Sequence, residues 1–151
     1  MHKTIVSDTS CFIIFTNIGE LDLLFQTYGQ IITTKEVALE YGEELPDWVI
    51  IKEANDKDFQ HNLEKKIDKG EASAIALAIE IMDCTIILDD YKARQVAEQL
   101  GLDITGTIGV IIKAKLNGII PSIIPYLDKI SKTDFRITDE LKEQALTEAG
   151  E

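Results

Sequence analysis

Histidine and cysteine are almost absent from this chain: His2 and His61, Cys11 and Cys84 are the whole complement. With no Cys-x-x-Cys and two isolated histidines, a zinc centre has no ligand set to draw on. The two cysteines lie far apart in sequence and make no disulfide framework, so they read as small buried hydrophobes in a reducing cytoplasm. No apolar run approaches the roughly 18 residues that a membrane span requires. The N-terminus shows no basic, apolar and small-residue succession of a signal peptide. Both observations set the expectation of a cytoplasmic protein with no membrane contact. Positive charge is also scarce. Against 27 acidic residues stand 15 basic ones, a formal charge of −12. Such a chain is steered away from nucleic acid in general, so any activity on nucleic acid must rest on a local basic rim or a bound cation. The acidic surface serves solubility, and it also suits a basic partner protein.

What is present is ordinary for a globular protein: 151 residues, 45% hydrophobic and 28% charged. That length predicts one domain over residues 1–151, large enough for a real core. There are no repeats, low-complexity tracts or linkers rich in Pro, Gly or Ser. Short β-branched runs alternate with helical patterns. Strands are expected at Thr4–Ser7, Gln30–Thr33, Thr85–Leu88 and Leu102–Thr105, with Trp48–Lys52 as an extra edge strand. Helices are expected at Cys11–Asn17, Glu20–Tyr28, Lys35–Tyr41, Asp58–Asp68, Glu71–Met82 and Tyr91–Leu100. Three more follow the last strand, at Ile108–Asn117, Ser122–Ser131 and Asp139–Glu148. Gly19, Gly29, Gly42, Gly70, Gly101 and Gly118 fall at boundaries, where a helix end needs a residue tolerant of positive φ. Phe135-x-Ile137 reads as an extra strand or a turn. The alternation argues for an α/β sandwich around a parallel sheet. Ligands of such folds bind outside the carboxyl ends of the strands.

That rule draws attention to acids at strand ends. In Thr4-Ile5-Val6-Ser7-Asp8, Asp8 follows the first strand directly. Ile86-Ile87-Leu88-Asp89-Asp90 repeats the pattern. Adjacent side chains on a strand point oppositely, so at most one of Asp89 and Asp90 faces the site, while the other caps the helix beginning near Tyr91. Glu71 opens an alanine-rich helix in which Ala72, Ile75, Ala76 and Ile79 form one stripe. Complementing the helix dipole is the plain role for Glu71. Glu36 and Glu40 share a helix face at i, i+4, where like charges repel. Solvated surface is their plain role. Should these acids converge, the cost is high: two unit charges about 4 Å apart repel by roughly 4 kcal/mol at an effective dielectric of 20. Convergence therefore implies a cation. Oxygen-only ligands point to Mg²⁺ or Mn²⁺.

In several segments together the chain resembles the PIN-domain proteins, and more closely a PIN-like branch related to VapC toxins. The match runs through Asp8-Thr9-Ser10, Lys69-Gly70-Glu71-Ala72-x-Ala74-Ile75-Ala76-Leu77-Ala78 and Leu88-Asp89-Asp90-Tyr91-Lys92-Ala93-Arg94. It continues in Gly101-Leu102-x-Ile104-Thr105-Gly106-Thr107-Ile108-Gly109-Val110 and Ala114-Lys115-x-x-Gly118-Ile119-Ile120-Pro121. The resemblance implies a three-layer α/β sandwich with a mainly parallel sheet and additional C-terminal helices. It also implies a metal-dependent ribonuclease, the toxin of a toxin–antitoxin pair or a relative of one. Its acids would be Asp8, Glu40 (with Glu36 in reserve), Glu71 and Asp89 or Asp90. Asp8, Glu71, Asp89 and Asp90 would hold Mg²⁺ or Mn²⁺. Many toxins carry Asp where Glu71 stands, which shifts the geometry but keeps a carboxylate. RNA is the implied substrate, an antitoxin-like protein or a second copy the implied partner. The competing expectation is a catalytically weak PIN-like module that binds RNA or protein. Thr9 and Ser10 would orient Asp8, touch a phosphate or cap the helix, and Lys92 and Arg94 offer a local basic rim.

Three other acidic or nucleotide-binding architectures fit less well. A response-regulator receiver needs its acidic pair after the first strand, where Asp8 stands alone. A haloacid-dehalogenase-type phosphatase needs Asp-x-Asp there, and Ser10 occupies the second place. No Gly-x-x-x-x-Gly-Lys occurs, which removes the P-loop nucleotidases.

Overall fold

The computed structural model describes residues 3–151, so His2 lies outside the described residues. Five strands form one sheet: β1 Thr4–Ser7, β2 Ile31–Thr33, β3 Val49–Ile51, β4 Cys84–Ile87 and β5 Asp103–Thr105. Their order is β3-β2-β1-β4-β5, and every pairing is parallel. The chain first builds outward from β1 to β2 and β3. It then returns to the other side of β1 with β4 and β5. The order therefore reverses between β1 and β4, which is where an open parallel sheet leaves a crevice at its carboxyl edge.

Alternating side chains split the strands between two cores. Ile5, Ile31 and Ile87 face one helical layer, made by α1 (Thr9–Asn17), α2 (Asp22–Tyr28), α7 (Thr107–Leu116), α8 (Ile124–Ser131) and α9 (Asp139–Glu148). Val6, Ile32 and Ile86 face the other, made by α4 (Lys57–Leu63), α5 (Lys69–Ile79) and α6 (Tyr91–Gln99). Helix α3 (Lys35–Tyr41) contributes Val37 to the first core. The result is a three-layer α/β sandwich with a parallel sheet and C-terminal helices, as the sequence predicts. Cys11 and Cys84 are free and buried.

The expected elements recur with shifted ends, and three details differ. The helix expected to run to Asp68 stops at Leu63 and continues as turns. The segment around Phe135–Ile137 is neither strand nor regular turn but an irregular connection. Gly70 has no positive φ and lies inside α5. It is needed for space instead: a Cβ there would sit 2.5 Å from Glu40 Oε1. The expected α5 stripe changes too: Ile79, its last member, is 41% exposed, while the burial spreads around the helix before it. Gly70 to Ala78 are all buried, because the small alanines let the helix approach the sheet and its helical neighbours on every side.

Candidate functional site at the carboxyl edge of the sheet

Asp8 ends β1 at the switch point. Its backbone N–H donates to Ile87 O, 3.2 Å away, which ties it to the end of β4. The residue stands at the N-cap position of α1, yet its side chain makes no cap bond. Only 2% of it is exposed. Oδ1 is buried without any hydrogen-bond partner. Leaving such an oxygen unpaired costs on the order of 1–3 kcal/mol, more when it is charged. Burial drives the carboxyl well above the usual range; repulsion from Asp89, Glu71 and Asp68 adds to this, and the Cys11 N–H opposes it. A proton or a cation would relieve it.

Glu71 fills both roles that its position suggests. Asp68 Oδ1 accepts from Glu71 N at 2.8 Å, and Glu71 Oε1 accepts from Asp68 N at 3.3 Å. This reciprocal pair starts α5. The same carboxyl is pushed up to about 7, first by burial and then by Asp68, Asp90 and Glu40. Asp68 was not among the expected site residues. Its signal was Asp-x-x-Glu ahead of an apolar run, the signature of a capping box.

Helix α3 separates its two glutamates. Glu36 accepts from the Gln60 side-chain amide and so turns toward α4. Glu40 accepts from Thr9 Oγ1 and lies over Gly70 at the start of α5. Thr34 fixes this phase: its Oγ1 accepts from Val37 N at 3.1 Å and its hydroxyl bonds Ser73. Thr9 thus positions an acid of the site.

Asp89 and Asp90 also divide their work. Asp90 Oδ2 accepts from Ala93 N at 3.0 Å and caps α6. Asp89 caps a different helix from a distance. Gly106, at the N-cap position of α7, has no side chain, and Asp89 supplies the missing acceptors. Its Oδ1 receives Thr107 N at 2.8 Å and its Oδ2 receives Thr107 Oγ1 at 2.6 Å. Burial raises the Asp89 carboxyl, while both Thr107 bonds and the Arg94 charge hold it down. Arg94 is half-buried, with Nη1 donating to Leu88 O at 2.8 Å; Lys92 is exposed.

The acids therefore form an electrostatically linked row. Asp89, Glu71 and Asp68 act on Asp8, and Asp68, Asp90 and Glu40 act on Glu71. The row stays open: among the described residues, no three of His, Cys, Asp and Glu stand close enough to hold a metal ion. The donors are still of the right kind, being carboxylate oxygens with one buried oxygen unpaired, as a hard divalent cation prefers.

A family model described as PIN domain matches residues 4–151. The chain belongs to the PIN-domain family. No curated protein matches it. The family is nuclease-like in fold and generally uses divalent metal ions, in keeping with an oxygen-only donor set. In this PIN domain the acid row lies at the reversal of strand order, where the fold rule locates ligands. Among the described residues, no helix is long and apolar enough to cross a membrane.

Proposed function

We propose that this PIN domain is a hydrolytic ribonuclease that uses Mg²⁺ or Mn²⁺. The observation that carries the reading is the buried, unpartnered Oδ1 of Asp8 at the switch point. Buried polar atoms without a partner are uncommon, and an ion or water that meets them is one ordinary explanation; Gln60 Oε1 is a second such atom. Asp8 would hold the ion, with Glu71 and Asp89 reaching it through water and Glu40 and Asp90 bordering it, since no three acids among the described residues stand close enough to bind it together. When bound, the cation supplies charge neutralisation at the scissile phosphate and acidifies a water.

The chain's own residues have distinct tasks. Asp8 offers a buried oxygen, Oδ1, that no other group of the chain engages. Glu71 Oε1 is oriented by the Asp68 N–H. A bound cation would offset the repulsion from Asp68, Asp90 and Glu40 that helps to raise the Glu71 carboxyl. Thr107 orients Asp89 through two hydrogen bonds. Thr9 aims Glu40.

The open spacing of the row favours a second reading, a PIN-like module with weak catalysis that binds RNA or protein. Purified protein should cut mixed structured RNAs only with Mg²⁺ or Mn²⁺, and Asp8→Asn should remove the cutting. Equal cleavage by parent and variant would refute the assignment. A toxin's role, with an antitoxin-like protein or a second copy as partner, extends the proposal. The net charge of −12 suits a basic partner segment. Co-purification of a basic protein encoded beside this chain, or its absence, decides that extension.

A further inference from the structure

Beside the acid row lies a cavity of about 480 Å³, between the α6–β5–α7 corner and α9. Ile104, Ile108 and Phe135 make its apolar walls, while Arg94, Gln144 and the carboxylate of Glu148 add polar groups. Asp89 lines it too, so the cavity opens onto the acid row. We propose that this cavity seats a nucleobase of the RNA next to the scissile phosphate. The inference rests on the nuclease reading above and names where the neighbouring nucleotide goes.

Three observations agree. The volume lies within the range of about 300–1,000 Å³ usual for small-ligand sites. The lining is what a flat base needs, an aromatic ring and aliphatic walls with a few hydrogen-bonding groups at the rim. Arg94 stands where the cavity meets the row. Its Nη1 is committed to Leu88 O, while a guanidinium carries five N–H donors. In a chain of net charge −12, a half-buried cation at this junction is the local attraction that an incoming phosphate requires. The carboxylate of Asp89 is meanwhile turned onto Thr107, which lessens its repulsion of the same phosphate.

The test is equilibrium binding of a fluorescently labelled single-stranded RNA hexamer to the full chain without divalent metal. A matched hexamer with one abasic position is scanned along the sequence. Base stacking predicts that one abasic position weakens binding about ten-fold, and that Phe135→Ala weakens the intact hexamer similarly. The two losses should not add, because they remove one interaction. Leu141→Trp, made at a wall residue that is 38% exposed, should block the cavity and act like Phe135→Ala. Melting curves confirm that the variants are folded, and the abasic arm changes no protein residue. Intact and abasic hexamers binding alike, or neither binding, would overturn the proposal. Metal-dependent cleavage that Asp8→Asn abolishes, with Phe135→Ala and Leu141→Trp binding like the parent, removes the base pocket and leaves the nuclease reading. Position-dependent binding without any cleavage does the reverse.

Discussion

Glu71→Gln isolates the cost of crowding acids at the sheet edge. The Glu71 carboxyl is displaced from 4.5 to about 7 in the folded protein. Each pKa unit corresponds to about 1.4 kcal/mol, so full displacement bounds the effect at about 3.5 kcal/mol. Although only 9% of Glu71 is exposed, relaxation around the charge and solvent screening at the sheet edge reduce the expectation to about 1–2 kcal/mol. The sign follows from proton uptake. Between pH 4.5 and about 7 the folded form binds more protons at Glu71 than the unfolded chain does. Stability from this group is therefore fully present below pH 4.5 and is lost as pH rises through 7. The side-chain amide introduced by Glu71→Gln would keep an oxygen for the Asp68 N–H and would have no charge to lose. The variant should match the parent near pH 5 and exceed it by about 1–2 kcal/mol at pH 8.5, without metal. For a protein of this length that is about 2–8 °C in melting temperature. Asp8 titrates with the same sign in both proteins, and its coupling to Glu71 enlarges the difference. Urea denaturation at pH 5, 7 and 8.5 in chelator provides the measurement. Parallel pH profiles for parent and variant would show that Glu71 bears no such load.

Three further outcomes are expected. Mg²⁺ at a hundred times its dissociation constant should stabilise the parent by about 2.7 kcal/mol, against Na⁺ at equal ionic strength, and should do much less for Asp8→Asn; equal responses in a melting assay would exclude Asp8 from a metal site. Asp8→Asn should melt higher than the parent in chelator, because one repelling, unpartnered carboxylate is gone; a lower melting temperature would contradict the repulsion. Gly70→Ala gains about 1 kcal/mol of helix propensity, yet its Cβ would meet Glu40 Oε1 at 2.5 Å, so the variant should stay folded while its response to Mg²⁺ drops; an unchanged response would place Glu40 outside the site.

Much of the fold was legible because it is written in short-range patterns. Strands such as Thr4–Ser7 and helices such as Lys35–Tyr41 match their expected limits, since apolar period and capping residues act within a few positions. Acids at the ends of β1 and β4 were equally visible. The family resemblance was carried by whole segments and is shown by the match over residues 4–151. Phe135–Ile137 misled because two apolar residues fit any period.

What remained hidden needed contacts between distant segments. Sequence alone set the alternation of strands and helices, the oxygen-only chemistry of the acids and the adverse net charge. Tertiary structure alone chose the strand order that puts Asp8 beside the end of β4. It turned Glu36 to Gln60 and Glu40 to Thr9, a choice that helix periodicity leaves open because both lie on one face. It also gave Asp89 to α7 rather than to the helix that follows it, through a hydrogen bond across 18 positions of sequence. Propensity and pattern act along the chain, whereas the burial that lifts the Asp8 carboxyl exists only when two layers of helices have closed over the sheet.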